Sequence, residues 1–156
     1  MKKLLILLGL LCALNAQAAS TIFKQSVEAP MPKTYGLLYD ALEKQRLFVV
    51  FEPNIGRNLA GMAKRLGDNY NRNQLAGIRS LVVCNAWYAN EVSNLDPDML
   101  ALCPLRVTVT HKDGVTHMLF ARPSVHAQGS AALPVIQEVE QLVVEAMQQA
   151  ARQAAP

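Results

Sequence analysis

The sequence predicts an α+β domain, a mainly antiparallel sheet with helices packed on one face. Three observations predict it. The elements read as strand, helix, strand, helix, strand, short helix, hairpin, helix, a mixed order whose second half runs as a meander. Asp113-Gly114 lies between two alternating runs, the strongest hairpin signal in the chain. Leu133 to Ala151 carries one long apolar stripe, the mark of a helix lying on a core.

Each element follows from its residues. Thr21 to Glu28 is short and β-rich, with Ile22, Phe23 and Val27, and Ala29-Pro30-Met31-Pro32 breaks it. Pro32 suits the first position of a helix. From Lys33 to Gln45, Tyr35, Leu38, Tyr39 and Leu42 recur at helical spacing. Arg46 to Glu52 is a continuous apolar run, predicting a buried strand that Pro53 ends. Ile55, Leu59, Met62, Ala63 and Leu66 form a second helical stripe, with Gly67 as its stop. Asp68 to Gly77 is polar and Asn-rich and reads as loop.

Ile78 to Cys84 is the next buried strand. Asn85 to Leu95 reads as irregular or weakly helical. Asp96-Pro97-Asp98 opens a short helix through Leu102: Asp96 caps it, Pro97 takes its first position, and Asp98 meets the positive end of its dipole. Leu105 to Thr110 and Val115 to Ala121 form the hairpin. A two-residue loop sets Val109 opposite Met118 and Val107 opposite Phe120, with Thr110 and His117 paired on the other face. Val125 to Ser130 is loop. In the last helix Val135, Val139, Leu142, Val143, Ala146, Met147 and Ala150 share a face, and the end beyond Ala151 is expected to fray.

The N-terminus reads as a cleavable secretory signal peptide over residues 1–18. Lys2 and Lys3 form a positive start, Leu4 to Leu14 an apolar run of 11 residues, and Ala16-Gln17-Ala18 a small-x-small site. Cleavage falls after Ala18 or one residue later. The run is short for a bilayer span, which takes about 20 residues. Leu11 before Cys12 argues against a lipoprotein site. The remainder, 19–156, reads as one periplasmic or secreted domain without a stable membrane anchor.

Removing the signal leaves 13 basic against 12 acidic residues, a net charge of +1. That leaves no electrostatic footprint for nucleic acid or anionic lipid. It also leaves two cysteines, Cys84 and Cys103. In an oxidising compartment an even pair reads first as a disulfide. Such a bridge contributes about 3 kcal/mol in the chain-entropy account. A redox-active pair, or two free thiols or a metal pair, are the other readings. There is no Cys-x-x-Cys, which argues against a thioredoxin-type centre and c-type haem attachment.

Other candidates are weaker. Asn85, Trp87, Tyr88, Asn90, Asp96 and Asp98 form a candidate binding loop near Cys84. Arg79, Arg106 and Arg122 flank strands and are candidate anion contacts. His111, His117 and His126 share no face, so no metal site is expected. Ser80 and Ser124 lack the surroundings of a hydrolase nucleophile. With no catalytic constellation and no cofactor motif, the leading reading is a non-enzymatic module for a small ligand or a protein, a homodimer partner included. The competing reading is a thiol–disulfide redox protein using Cys84 and Cys103.

Phe51-Glu52, Cys84-Asn85, Asp96-Pro97-Asp98-Met99-Leu100-Ala101-Leu102-Cys103-Pro104 and Phe120-Ala121-Arg122-Pro123 together resemble the domain of unknown function 302 family. The resemblance runs from about residue 31 to 150. It implies a β-α-β(4)-α arrangement, related in shape to the TATA-binding-protein fold, and no established activity. The signal peptide and the Asn-rich stretch from Asp68 to Gly77 depart from the family's pattern, and a bridge between the cysteines would be particular to exported members.

Overall fold

A computed structural model describes residues 20–156. The signal peptide at 1–18, its cleavage site and Cys12 lie outside the described residues. Five strands form one sheet: β1 (Ile22–Glu28), β2 (Phe48–Phe51), β3 (Gly77–Cys84), β4 (Leu105–Lys112) and β5 (Val115–Ala121). Their order is β1-β5-β4-β3-β2. Every neighbouring pair is antiparallel. Helices α1 (Met31–Lys44) and α5 (Leu133–Ala154) cover one face. The α+β expectation holds.

The hairpin is where local chemistry decides most. Asp113 and Gly114 adopt φ of 50° and 81°. Both central residues in the left-handed region make the tight turn that matches strand twist. The register is the expected one: Val107 opposite Phe120, Val109 opposite Met118, Thr110 opposite His117. Gly114→Ala puts a Cβ into that region and should cost about 1–2 kcal/mol. Urea unfolding should show a lower midpoint at unchanged slope.

One face of the sheet is the core. Leu81, Val83, Val107, Val109, Met118 and Phe120 meet Leu38 and Leu42 of α1 and Val143 and Met147 of α5, all buried. A smaller apolar cluster gathers Val92, Ala127, Ala132 and Ile136.

Four expectations need correcting. The apolar run ending at Phe51 is an edge strand, not a buried one. Leu47 is buried in the core and Val49 packs partly against it, while Phe48, Val50 and Phe51 are 52, 59 and 62% exposed. The second helical stripe splits into α2 (Ile55–Ala60) and α3 (Ala63–Leu66), and neither buries a residue. These helices lie beside the start of β3, where a Cβ on Gly56 would come within 3.2 Å of the Ile78 nitrogen. Asn85 to Leu95 forms a regular helix, α4 (Ala86–Leu95). The C-terminal end does not fray: Ala151 and Ala154 are buried, and Lys33 Nζ donates to the Ala154 carbonyl at 2.9 Å. Among the described residues no helix is long and apolar enough to cross a membrane.

Candidate functional site

Cys84 closes β3, and Cys103 stands two residues before β4. Val83 pairs with Leu105. Continuing that ladder sets Cys84 opposite Pro104 and leaves Cys103 one step out of register. The expected Cys84–Cys103 bridge is not formed: both residues are free cysteines. They remain neighbours. Burial, and then the adjacent Cys84 thiol, push the Cys103 thiol above its ordinary value.

Both sulfurs line a narrow cleft of about 40 Å³ between the ends of β3 and β4, α4 and α5. Its walls are Val83, Val92, Met99, Leu102, Ile136 and Val139. Asn85 and Tyr88 mark its polar side.

The candidate loop residues mostly organise this helix. Asn85 caps α4, its side-chain oxygen accepting from the Trp87 and Tyr88 backbone nitrogens at 2.9 and 3.2 Å. Its amide nitrogen donates to the Arg46 carbonyl. Trp87 is 59% exposed and meets the Tyr88 ring edge-on. Tyr88 Oη donates to Glu138 at 2.6 Å. Burial, and then that carboxylate, push the Tyr88 phenol up to about 12. Asn90 bonds its neighbour Glu91. Asp96 caps a 3₁₀ turn over Pro97–Leu102 by accepting from the Asp98 nitrogen, and it also accepts from Ser130 Oγ at 2.5 Å. Asp98 is exposed. Of the six, Asn85 and Tyr88 reach the cleft.

The three arginines do not converge. Arg79 pairs with Glu52 at 3.5 Å and lies over the Tyr35 ring, 4.0 Å from its centroid. Arg122 pairs with the buried Glu140 at 3.7 Å. Arg106 lines a separate groove of about 650 Å³ with Thr108 and Leu119. The histidines are also apart in role. His111 Nδ1 bonds Thr116 Oγ1 at 2.9 Å, His117 Nδ1 bonds Ser26 Oγ at 2.7 Å, and His126 borders the Arg106 groove. Burial, then Lys24, hold His117 below its usual value. The described residues hold no group of three or more His, Cys, Asp or Glu arranged for a metal. Ser80 Oγ is tied to Thr108 Oγ1.

Sequence reasoning missed two features. Val92, Met99, Leu102 and Ile136 complete the cleft from three separate segments; the stripe read for α5 included Val139 but not Ile136. The Tyr35–Glu52–Arg79 cluster joins α1, the end of β2 and β3. Tyr35 Oη donates to Glu52 at 2.7 Å and to the Ser80 carbonyl at 3.2 Å.

The model of a family described as "Domain of unknown function DUF302" matches residues 23–153. Among solved structures, the fold is similar to the crystal structure of an uncharacterized conserved protein DUF302 from Bacillus stearothermophilus. The TM-score is 0.73 at 18% identity, over 84% of this chain and 98% of that one. At that identity the likeness shows the fold alone. No curated protein matches.

Proposed function

The chain belongs to the DUF302 family, and from that premise we propose that it is an exported, non-enzymatic binding module whose thiol-walled cleft takes the apolar end of a small ligand. The observation that carries this reading is the cleft itself. Its lining is almost wholly hydrocarbon and sulfur, yet its side toward solvent holds Asn85 and the Tyr88–Glu138 pair. Apolar cavities stay dry and favour apolar guests. About 40 Å³ accommodates a short alkyl end rather than a whole metabolite. Export rests on the residue pattern of the first 18 positions.

Dissolved xenon is a suitable probe because it is small and apolar. The expected result is saturable shifts of the Val92, Leu102 and Ile136 methyl resonances, and their loss in Leu102→Trp, which fills the cleft. Shifts confined to other sites would reject the reading.

A second reading is favoured by one observation: the two thiols are neighbours on one wall and unbonded. In it, Cys84 and Cys103 cycle between thiols and a disulfide. The same protein equilibrated against glutathione mixtures distinguishes the two. A working redox pair loses two hydrogens within the buffer's range, and a pair that stays reduced throughout is part of a binding wall only.

A further inference from the structure

The segment between β2 and β3 is the most basic stretch of the described chain. Residues 54–76 carry Arg57, Lys64, Arg65 and Arg72 against a single acid, Asp68. This segment folds over the start of β3 and encloses a second cavity, of about 360 Å³. That volume is in the range of small-molecule pockets, unlike the thiol cleft. The two cavities also lie at opposite ends of β3, one near Gly77 and one near Cys84.

The walls are amphiphilic. Met31, Leu59 and Ile78 supply apolar surface, and Arg57 and Arg79 supply charge. Arg79 is held in place by the Tyr35 ring beneath it and by Glu52 at Nη2. Its Nε is buried and has no hydrogen-bond partner. That nitrogen is closed off from solvent, but the side chain as a whole is 38% exposed, so a ligand in the cavity meets the rest of the guanidinium. Glu52 already balances the Arg79 charge, so the uncompensated charge is that of Arg57. The ion pairs among the described residues are Arg79–Glu52 and Arg122–Glu140, and Arg57 is exposed at the rim.

We infer that this cavity binds a small organic oxyanion, a carboxylate or phosphate ester on an apolar body. The Arg57 and Arg79 guanidinium groups, both on the cavity wall, donate to the anionic oxygens. Met31, Leu59 and Ile78 take the body. The inference is independent of the thiol cleft.

Titration calorimetry with benzoate, phenyl phosphate and benzyl alcohol tests it, since a phenyl ring is too large for the narrower cleft. Saturable binding of benzoate assigns a carboxylate ligand, and of phenyl phosphate a phosphate ester. In either case the neutral alcohol should bind on the order of tenfold more weakly or not at all. Arg57→Gln should weaken the anion by a similar factor and leave the melting temperature unchanged. Arg79→Gln should abolish binding, but it also removes the stack on Tyr35, so Arg57→Gln is the deciding variant. The proposal is overturned if neither anion binds, if benzyl alcohol binds as well, or if Arg57→Gln makes no difference. It is equally overturned if Leu102→Trp removes the binding, because the ligand would then occupy the thiol cleft.

Discussion

Phe120→Ala is expected to cost about 3–5 kcal/mol of unfolding free energy. Phe120 is 1% exposed and is the largest fully buried side chain. It stands opposite Phe23 on one side and Val107 on the other, so its ring spans β1, β5 and β4 on the helix-covered face. Three strands and the helices above them hold the walls apart, so the space left by the ring cannot close, and the cavity cost adds to the lost transfer energy. A domain of this size has about 5–15 kcal/mol in all. The variant should therefore unfold at a much lower urea concentration. Phe120→Leu keeps most of the volume and should cost less than about 1.5 kcal/mol. Equal losses for the two variants would show that ring shape, not cavity volume, governs the site.

Features set by neighbouring residues were legible in the sequence, and features set by distant ones were not. Asp113-Gly114 dictates its turn through backbone sterics, and the turn dictates the Val107–Phe120 and Val109–Met118 pairs with no outside help. Asp96-Pro97-Asp98 likewise caps its own turn. Phe48 to Phe51 shows the opposite case. A continuous apolar run fits a central strand, but whether a partner lies on one side or both depends on where β1 and β5 insert, and that is not written in β2. Cysteine parity predicted a Cys84–Cys103 disulfide, and the structure has the two as neighbouring free cysteines. Parity does not say whether neighbours bond. The arginines at strand ends were equally ambiguous: Arg79 and Arg122 pair with Glu52 and Glu140, and Arg106 lines a separate groove. The carboxylates that decide this, Glu52 and Glu140, are distant in sequence.

Tyr35→Ala and Tyr35→Phe should separate two contributions that meet in one side chain. Tyr35 is 6% exposed, and its ring carries the Arg79 guanidinium while its hydroxyl donates to Glu52. Tyr35→Ala removes both and should cost about 3–5 kcal/mol, as for other buried aromatics. Tyr35→Phe removes only the hydroxyl. A hydrogen bond to a charged acceptor contributes about 1.5–3 kcal/mol, but Glu52 is 40% exposed and recovers water, so a loss near about 1 kcal/mol is expected. The ring therefore outweighs the hydroxyl at neutral pH. At high pH the hydroxyl should become visible. Burial, and then the hydrogen bond to Glu52, raise the Tyr35 phenol well above its ordinary value. The folded state thus holds this proton more tightly than the unfolded chain does. The resulting stability is fully present below about pH 10, the unfolded value, and is lost as the pH climbs beyond it. Urea midpoints of the parent protein should fall through that range more steeply than those of Tyr35→Phe, because the variant has no phenol here to ionise on unfolding. Parallel alkaline limbs would mean that the decline comes from groups other than Tyr35, such as Tyr88, and that the Tyr35 hydroxyl contributes to stability no more than water would.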